Sequence, residues 1–266
     1  MMNITAADKI SQMAVARATG RKDPLKYLIM SIMAGMFVAM GVVASYSVAS
    51  PFAAASSPAL RLVMGSVFSI ALTLVIFTGS ELFTGNNMIM TIGMMKGKAS
   101  MEDTAAVWVL SFIGNFIGAL LVAYLMKLSG LIDIDPTKSL LVSATAAKMN
   151  LSVTALIVRG ILCNILVCIA IYTCQRTEND GAKLGIIFLC LLAFVGSGFE
   201  HSIANMALLP MGMLASSDPS ITMMGLIKNL SFVTLGNMIG GIVFVGFVYG
   251  HLGIDKRDRA HSKKAA

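Results

Sequence analysis

The 266-residue chain is 57% apolar and only 12% charged, with a mean hydropathy of +0.83. A soluble domain carries roughly 25% charged residues, so this composition excludes an ordinary water-exposed surface. The net charge of +7 does not indicate nucleic-acid binding, because its distribution follows membrane topology.

Residues 1–26 are polar and mixed in charge, with no short apolar core leading to a small-residue cleavage pattern, so they do not read as a signal peptide. The stretch from Lys9 to Arg17 is expected either as an amphipathic helix on the cytoplasmic interface or as a partly ordered tail. Beyond it, charge divides the chain. No charged residue lies between Lys26 and Arg61, and only Glu81 lies between Arg61 and Lys96. Residues 104–126, 160–175 and 229–254 are uncharged, and 184–217 holds Glu200 alone. A helix needs about 20 apolar residues to cross the hydrocarbon. Six spans are therefore predicted, near 27–49, 62–95, 104–127, 153–175, 184–215 and 229–251. The second and fifth are long enough to bend or to cross in two pieces.

With six spans both ends share one side, and 14 of the 20 Lys and Arg residues fall on it. The positive-inside rule then places both termini, including a basic tail at 252–266, in the cytoplasm of a multi-pass inner (plasma) membrane protein. Cys163, Cys168, Cys174 and Cys190 all lie in spans without metal-ligand spacing. They read as packing residues, and neither a metal nor a cofactor is expected.

The chain repeats internally. Gly114, Asn115 and Gly118 in span 3 match Gly236, Asn237 and Gly240 in span 6, with the asparagines 122 residues apart. In spans 2 and 5, aligning Gly79 with Gly196 gives an offset of 117. The halves are thus 27–130 and 150–251. Three spans per half make the repeats inverted, an architecture that builds a solute site near the midplane between discontinuous helices. The paired glycines permit close helix approach, and packing accounts for spans 3 and 6.

It does not account for the polar breaks in spans 2 and 5. Gly79, Ser80, Glu81, Thr84, Gly85, Asn86 and Asn87 interrupt one; Gly196, Ser197, Gly198, Glu200, His201, Ser202 and Asn205 interrupt the other. Each charge costs roughly 2.5–3.5 kcal/mol at the membrane centre, and irregular backbone persists there only beside protein or water. Glu81 pairs with Glu200 in the repeat, and Asn87 with Asn205. The glutamates are expected to be structural, accepting backbone N–H groups freed at the breaks; the alternative is a cation-attracting lining. His201 falls opposite Phe83 or Thr84 and so has no partner in the first half. An unmatched histidine can carry function, or sit neutral against Glu200 or a backbone carbonyl.

Several runs resemble the formate/nitrite transporter family: GFEHSIANM at 198–206, Pro210 with Gly212, Glu81 to Thr84, RGILCNILVC at 159–168, and Gly236 to Gly241. The resemblance implies an all-α, aquaporin-like protomer with six transmembrane helices in two inverted three-helix repeats, spans 2 and 5 interrupted. It implies a homopentamer with one pore per protomer, passing small monovalent anions of weak acids or their neutral acids: formate, nitrite or hydrosulfide. By the same resemblance Leu82 and Phe194 form the cytoplasmic constriction, and Leu72, Phe83 and Phe68 the outer one. Thr84 and His201 sit between them. Lys148, in a short loop segment, and Asn164 fall in the outer half of the path. Glu81, Glu200 and Asn205 remain structural at the breaks.

Other classes fit less well. An aquaporin-like neutral solute channel lacks its Asn-Pro-Ala motif here, and an intramembrane enzyme lacks a His-Glu-x-x-His or Ser/His/Asp arrangement. A proton-coupled anion symporter is the nearest alternative.

Overall fold

The computed structural model describes residues 2–253, with side chains from residue 6 onward. The basic tail expected at 252–266 therefore lies almost wholly outside the described residues. Helix α1 (Met2–Gly20) is followed by α2 (Pro24–Ala54), α3 (Leu60–Thr78), α4 (Phe83–Met95) and α5 (Met101–Leu128). A single 3-10 turn (Leu131–Asp133) leads to α6 (Thr137–Met149), α7 (Val153–Cys174), α8 (Asp180–Gly196), α9 (Ser202–Ala215) and α10 (Met223–Leu252). Within α10 the stretch Gly240–Phe247 is π-helical.

Five of these helices, α2, α3, α5, α7 and α10, are individually long and apolar enough to cross a bilayer. The second and fifth predicted spans each resolve into two pieces, α3 with α4 and α8 with α9, so the chain crosses six times among the described residues. Local chemistry sets the helix starts. Asp23 accepts from the Lys26 amide with Pro24 at the first helical position, and Ser152, Asn179 and Thr222 cap α7, α8 and α10 in the same way. Ser100 and Asp103 form a reciprocal capping box on α5.

The paired glycines seat equivalent helices in the two halves. A Cβ on Gly118 would overlap the backbone oxygen of Ile32, and one on Gly240 would stand 2.5 Å from that of Ile161. Helix α5 thus lies directly on α2, and α10 on α7, at distances only glycine allows. The breaks share a second device. Gly79 and Gly198 both have positive φ, 71° and 75°, which frees α3 and α8 to stop without the strain another residue would meet.

Gly79 and Gly198, Glu81 and Glu200, and Asn86 and Asn205 are each 119 residues apart. This register corrects the expected alignment of Gly79 with Gly196. Helix α6 differs from the expectation, while α1 takes the helical form, one of the two expected for it. The connection before span 4 is not a short loop but contains helix α6, too short and polar to read as a span. Helix α1 is ordered and buries Ala6, Ala7, Ile10 and Ala14 against the body of the protein. A Cβ on Gly93 would overlap that of Ala14, so α1 rests against the end of α4.

Candidate pore and its polar clusters

The N-termini of α4 and α9 meet at the centre. Leu82 and His201 occupy the same position in the two halves, each the extended residue before its half-helix, with φ/ψ of −96°/121° and −110°/117°. The counterpart of His201 is therefore Leu82, not Phe83 or Thr84. His201 caps α9: its Nδ1 accepts the Ala204 amide at 3.2 Å. A neutral ring that accepts at Nδ1 carries its proton on Nε2. Nε2 lies 3.1 Å from Thr84 Oγ1, so it donates to the threonine and leaves the Thr84 hydroxyl hydrogen available.

Two cavities flank this contact. On the α6 side a vestibule of about 290 Å³ is lined by Lys148, Arg61, Arg159, Phe68, Phe194 and His201, among others. Behind it lies a chamber of about 10 Å³, lined by Leu72, Leu82, Val167, Leu191, Phe68, Phe194 and His201. That is the space of about one water. Phe68 and Phe194 belong to both linings and meet edge to face with centroids 5.6 Å apart. The Phe194 ring also stacks on His201 at 6.0 Å. Leu72, Leu82, Phe68 and Phe194, expected in two separate constrictions, all line this one chamber.

Two expected lining residues are not among the linings of these two cavities. Phe83 is buried with its ring 5.1 Å from that of Phe112, and it lines neither cavity. Asn164 is fully buried, and its amide donates to the Thr84 carbonyl at 3.1 Å and the Asn237 carbonyl at 2.7 Å. It ties α7 to α4 and α10.

Among the described residues neither glutamate carboxylate accepts a backbone amide as expected, and Glu200 also lines the vestibule. Glu81 Oε2 accepts from Tyr27 Oη at 2.8 Å and Asn86 Nδ2 at 3.0 Å, and pairs with Arg17 Nε at 3.1 Å. Glu200 accepts from Lys148 Nζ at 2.7 Å and Asn205 Nδ2 at 2.7 Å. Asn205 also donates to Asn229 Oδ1 at 2.8 Å. The first-half counterpart of Asn205 is thus Asn86, not Asn87. Each carboxylate is matched by one cation and an asparagine five residues on, the form in which a buried charge is tolerated.

The backbone at the breaks is satisfied by two asparagines that sequence reasoning left to helix packing. Asn115 Oδ1 accepts the Phe83 amide at 2.9 Å, while its Nδ2 donates to the carbonyls of Glu81 and Ser31 at 2.9 and 2.7 Å. Asn237 repeats the set, accepting from the Ser202 amide at 2.8 Å and donating to Glu200 and Gly160 carbonyls at 2.9 and 2.8 Å. The signal for this was the Gly-Asn pair at one offset in both halves, since packing explains the glycine and not the amide beside it.

Half-helices that meet N-terminus to N-terminus at a histidine–threonine contact, inside an inverted repeat, define a membrane transport protein. The comparisons with known proteins agree. The model of the formate/nitrite transporter family matches residues 5–251, and the chain belongs to that family. It is 40% identical to the nitrite transporter NirC of Salmonella typhimurium over 230 residues, covering 85% of this chain and 83% of NirC. It is 30% identical to the formate channel FocA of Haemophilus influenzae over 268 residues, covering 94% and 93% respectively. A solved FNT family ion channel superposes with a TM-score of 0.88 at 37% identity, covering 93% of this chain and 98% of that one. A pentameric formate channel with formate bound superposes with a TM-score of 0.75 at 26% identity, covering 87% and 98%. These relatives are transporters and channels, and the chain is not an enzyme.

Proposed function

We propose that the chain conducts a small monovalent anion of a weak acid (formate, nitrite or hydrosulfide) past His201 and Thr84, as one protomer of a homopentamer in the inner membrane. The observation that carries this reading is the Nε2–Oγ1 contact where the two half-helix N-termini converge. Their partial positive charge favours an anion there, and the Thr84 hydroxyl has a hydrogen to offer it. A charged solute loses water at the apolar partitions, with Phe68 and Phe194 on the vestibule side and Leu72 with Leu82 beyond. The vestibule is assigned to the outer face and α1 to the cytoplasm, following the Lys and Arg bias. In this reading 1–266 is a single transmembrane domain, with α1 as a cytoplasmic interfacial segment before the repeats at 27–130 and 150–251.

The geometry favours His201 as a hydrogen-bond donor over His201 as a proton donor. A second proton on the ring has to enter at Nδ1, which would remove the cap on the Ala204 amide and place a cation at a helix N-terminus. Flux of each anion into liposomes, with and without a pH gradient, compares wild type with His201→Phe. We expect flux to fall about 10- to 100-fold, the scale of a lost hydrogen bond to a charged group. Equal rates and equal pH dependence in the variant would remove His201 from the mechanism. Flux driven by the anion gradient alone identifies a channel; an absolute need for the pH gradient identifies the symporter.

A further inference from the structure

Three cationic side chains stand in the vestibule wall: Lys148, Arg61 and Arg159. Lys148 carries no uncompensated charge, because its Nζ is 2.7 Å from Glu200 Oε1 and the carboxylate side chain is only 3% exposed. Setting that neutral pair aside leaves two guanidinium groups. Among the described residues neither guanidinium makes a hydrogen bond or ion pair, and both residues are exposed. Both flank the break of the fifth span. Arg61 Nη1 lies 4.0 Å from where a Cβ on Gly198 would stand, and the Arg159 carbonyl accepts the Glu200 amide at 3.2 Å. Among the described residues, the uncompensated positive charge in the vestibule wall therefore lies on Arg61 and Arg159.

The geometry points to Arg61 and Arg159 as a capture site for a planar oxyanion, of the carboxylate or nitrite type, ahead of the Phe68–Phe194 partition. A guanidinium presents parallel N–H donors in a fixed fork that matches two oxygens on one atom. Hydrosulfide offers a single acceptor atom and gains from the same groups only their charge. The site thus ranks the anions before they reach the apolar partition. This inference rests on the proposed transport function and narrows it to oxyanions.

The test measures half-saturating concentrations of formate, nitrite and hydrosulfide in proteoliposomes containing the full chain. Wild type is compared with the double variants Arg61→Lys/Arg159→Lys and Arg61→Gln/Arg159→Gln. Neither guanidinium is used in packing, so both variants are expected to fold. The glutamine pair raises the half-saturating concentration of all three anions. The lysine pair keeps the charge and loses the fork; it raises the values for formate and nitrite by about three- to tenfold and leaves hydrosulfide unchanged. Equal shifts for all three anions in the lysine pair, or no shift in the glutamine pair, overturn the capture site while leaving transport intact. A wild-type chain that carries none of the three anions overturns the transport reading, and this one with it.

Discussion

Asn115 and Asn237 place a side-chain amide where two main-chain groups would otherwise face hydrocarbon. A buried polar group left without a partner costs about 1–3 kcal/mol in protein, and more where no water can reach it. Replacing Asn237 with leucine leaves the Ser202 amide and the Glu200 carbonyl without their partner. We expect Asn237→Leu to lower stability by about 2–6 kcal/mol, read as a large fall in the unfolding temperature in detergent; an unchanged temperature would show that another group takes over these bonds. The residues at the breaks were legible in the sequence as polar intrusions, and their identity as a site was legible too. Their partners were not. Sequence similarity cannot choose between Asn86 and Asn87 as the match for Asn205. The choice follows from the backbone path through the break, which brings the fifth residue beyond each glutamate back to its carboxylate.

At the scale of elements, the six spans were readable because charge is nearly absent between their ends. Helix α6 was not readable, because 13 residues of mixed polarity carry neither a span's length nor a clean apolar stripe. It is held by tertiary contact instead: Thr145 Oγ1 lies where a Cβ on Gly212 would stand, and Thr137 shares a hydroxyl bond with Ser50 at 3.0 Å. Helix contact distance also sorts the glycines. Gly118→Ala places a methyl group against the Ile32 carbonyl, backbone that cannot yield without moving α2. A Cβ on Gly185 in α8 meets nothing within 4 Å. Gly118→Ala is expected to abolish monodisperse protein after solubilisation. Gly185→Ala is expected to raise stability by about 0.5–1 kcal/mol through helix propensity. A tolerant Gly118 would mean that α2 and α5 are more loosely coupled than their backbone contact implies.

Across the whole molecule, α1 is strapped to several distant elements at once. Lys9 pairs with Glu178, Lys96 with Asp8 at 2.5 Å, Arg21 with Asp103 at 2.7 Å, and Arg17 with the partly buried Glu81 at 3.1 Å. Glu178 lies in the turn between α7 and α8, and the Lys9 hydrogen bond holds its carboxyl below the usual carboxylate range. A depressed folded value means that this contribution is present above the unfolded value, about 4.3, and is lost as pH falls through the folded one. Amide exchange in α1, corrected for intrinsic rate, is thus expected to quicken as pH drops below about 4. In Glu178→Gln part of that acceleration disappears. An acid response identical to wild type would show that Glu178 does not hold α1.

The two asparagine clamps have a consequence for how the chain is made. Every partner of Asn115 lies in the first three spans, and every partner of Asn237 in the last three. No clamped group in the first half waits for a partner that the ribosome has yet to supply. A nascent chain that has released α5 can already seal its own broken span, and the second half repeats the operation facing the other way. The membrane therefore receives two closed parcels in sequence. The pore is what remains between them when Thr84 of the first meets His201 of the second.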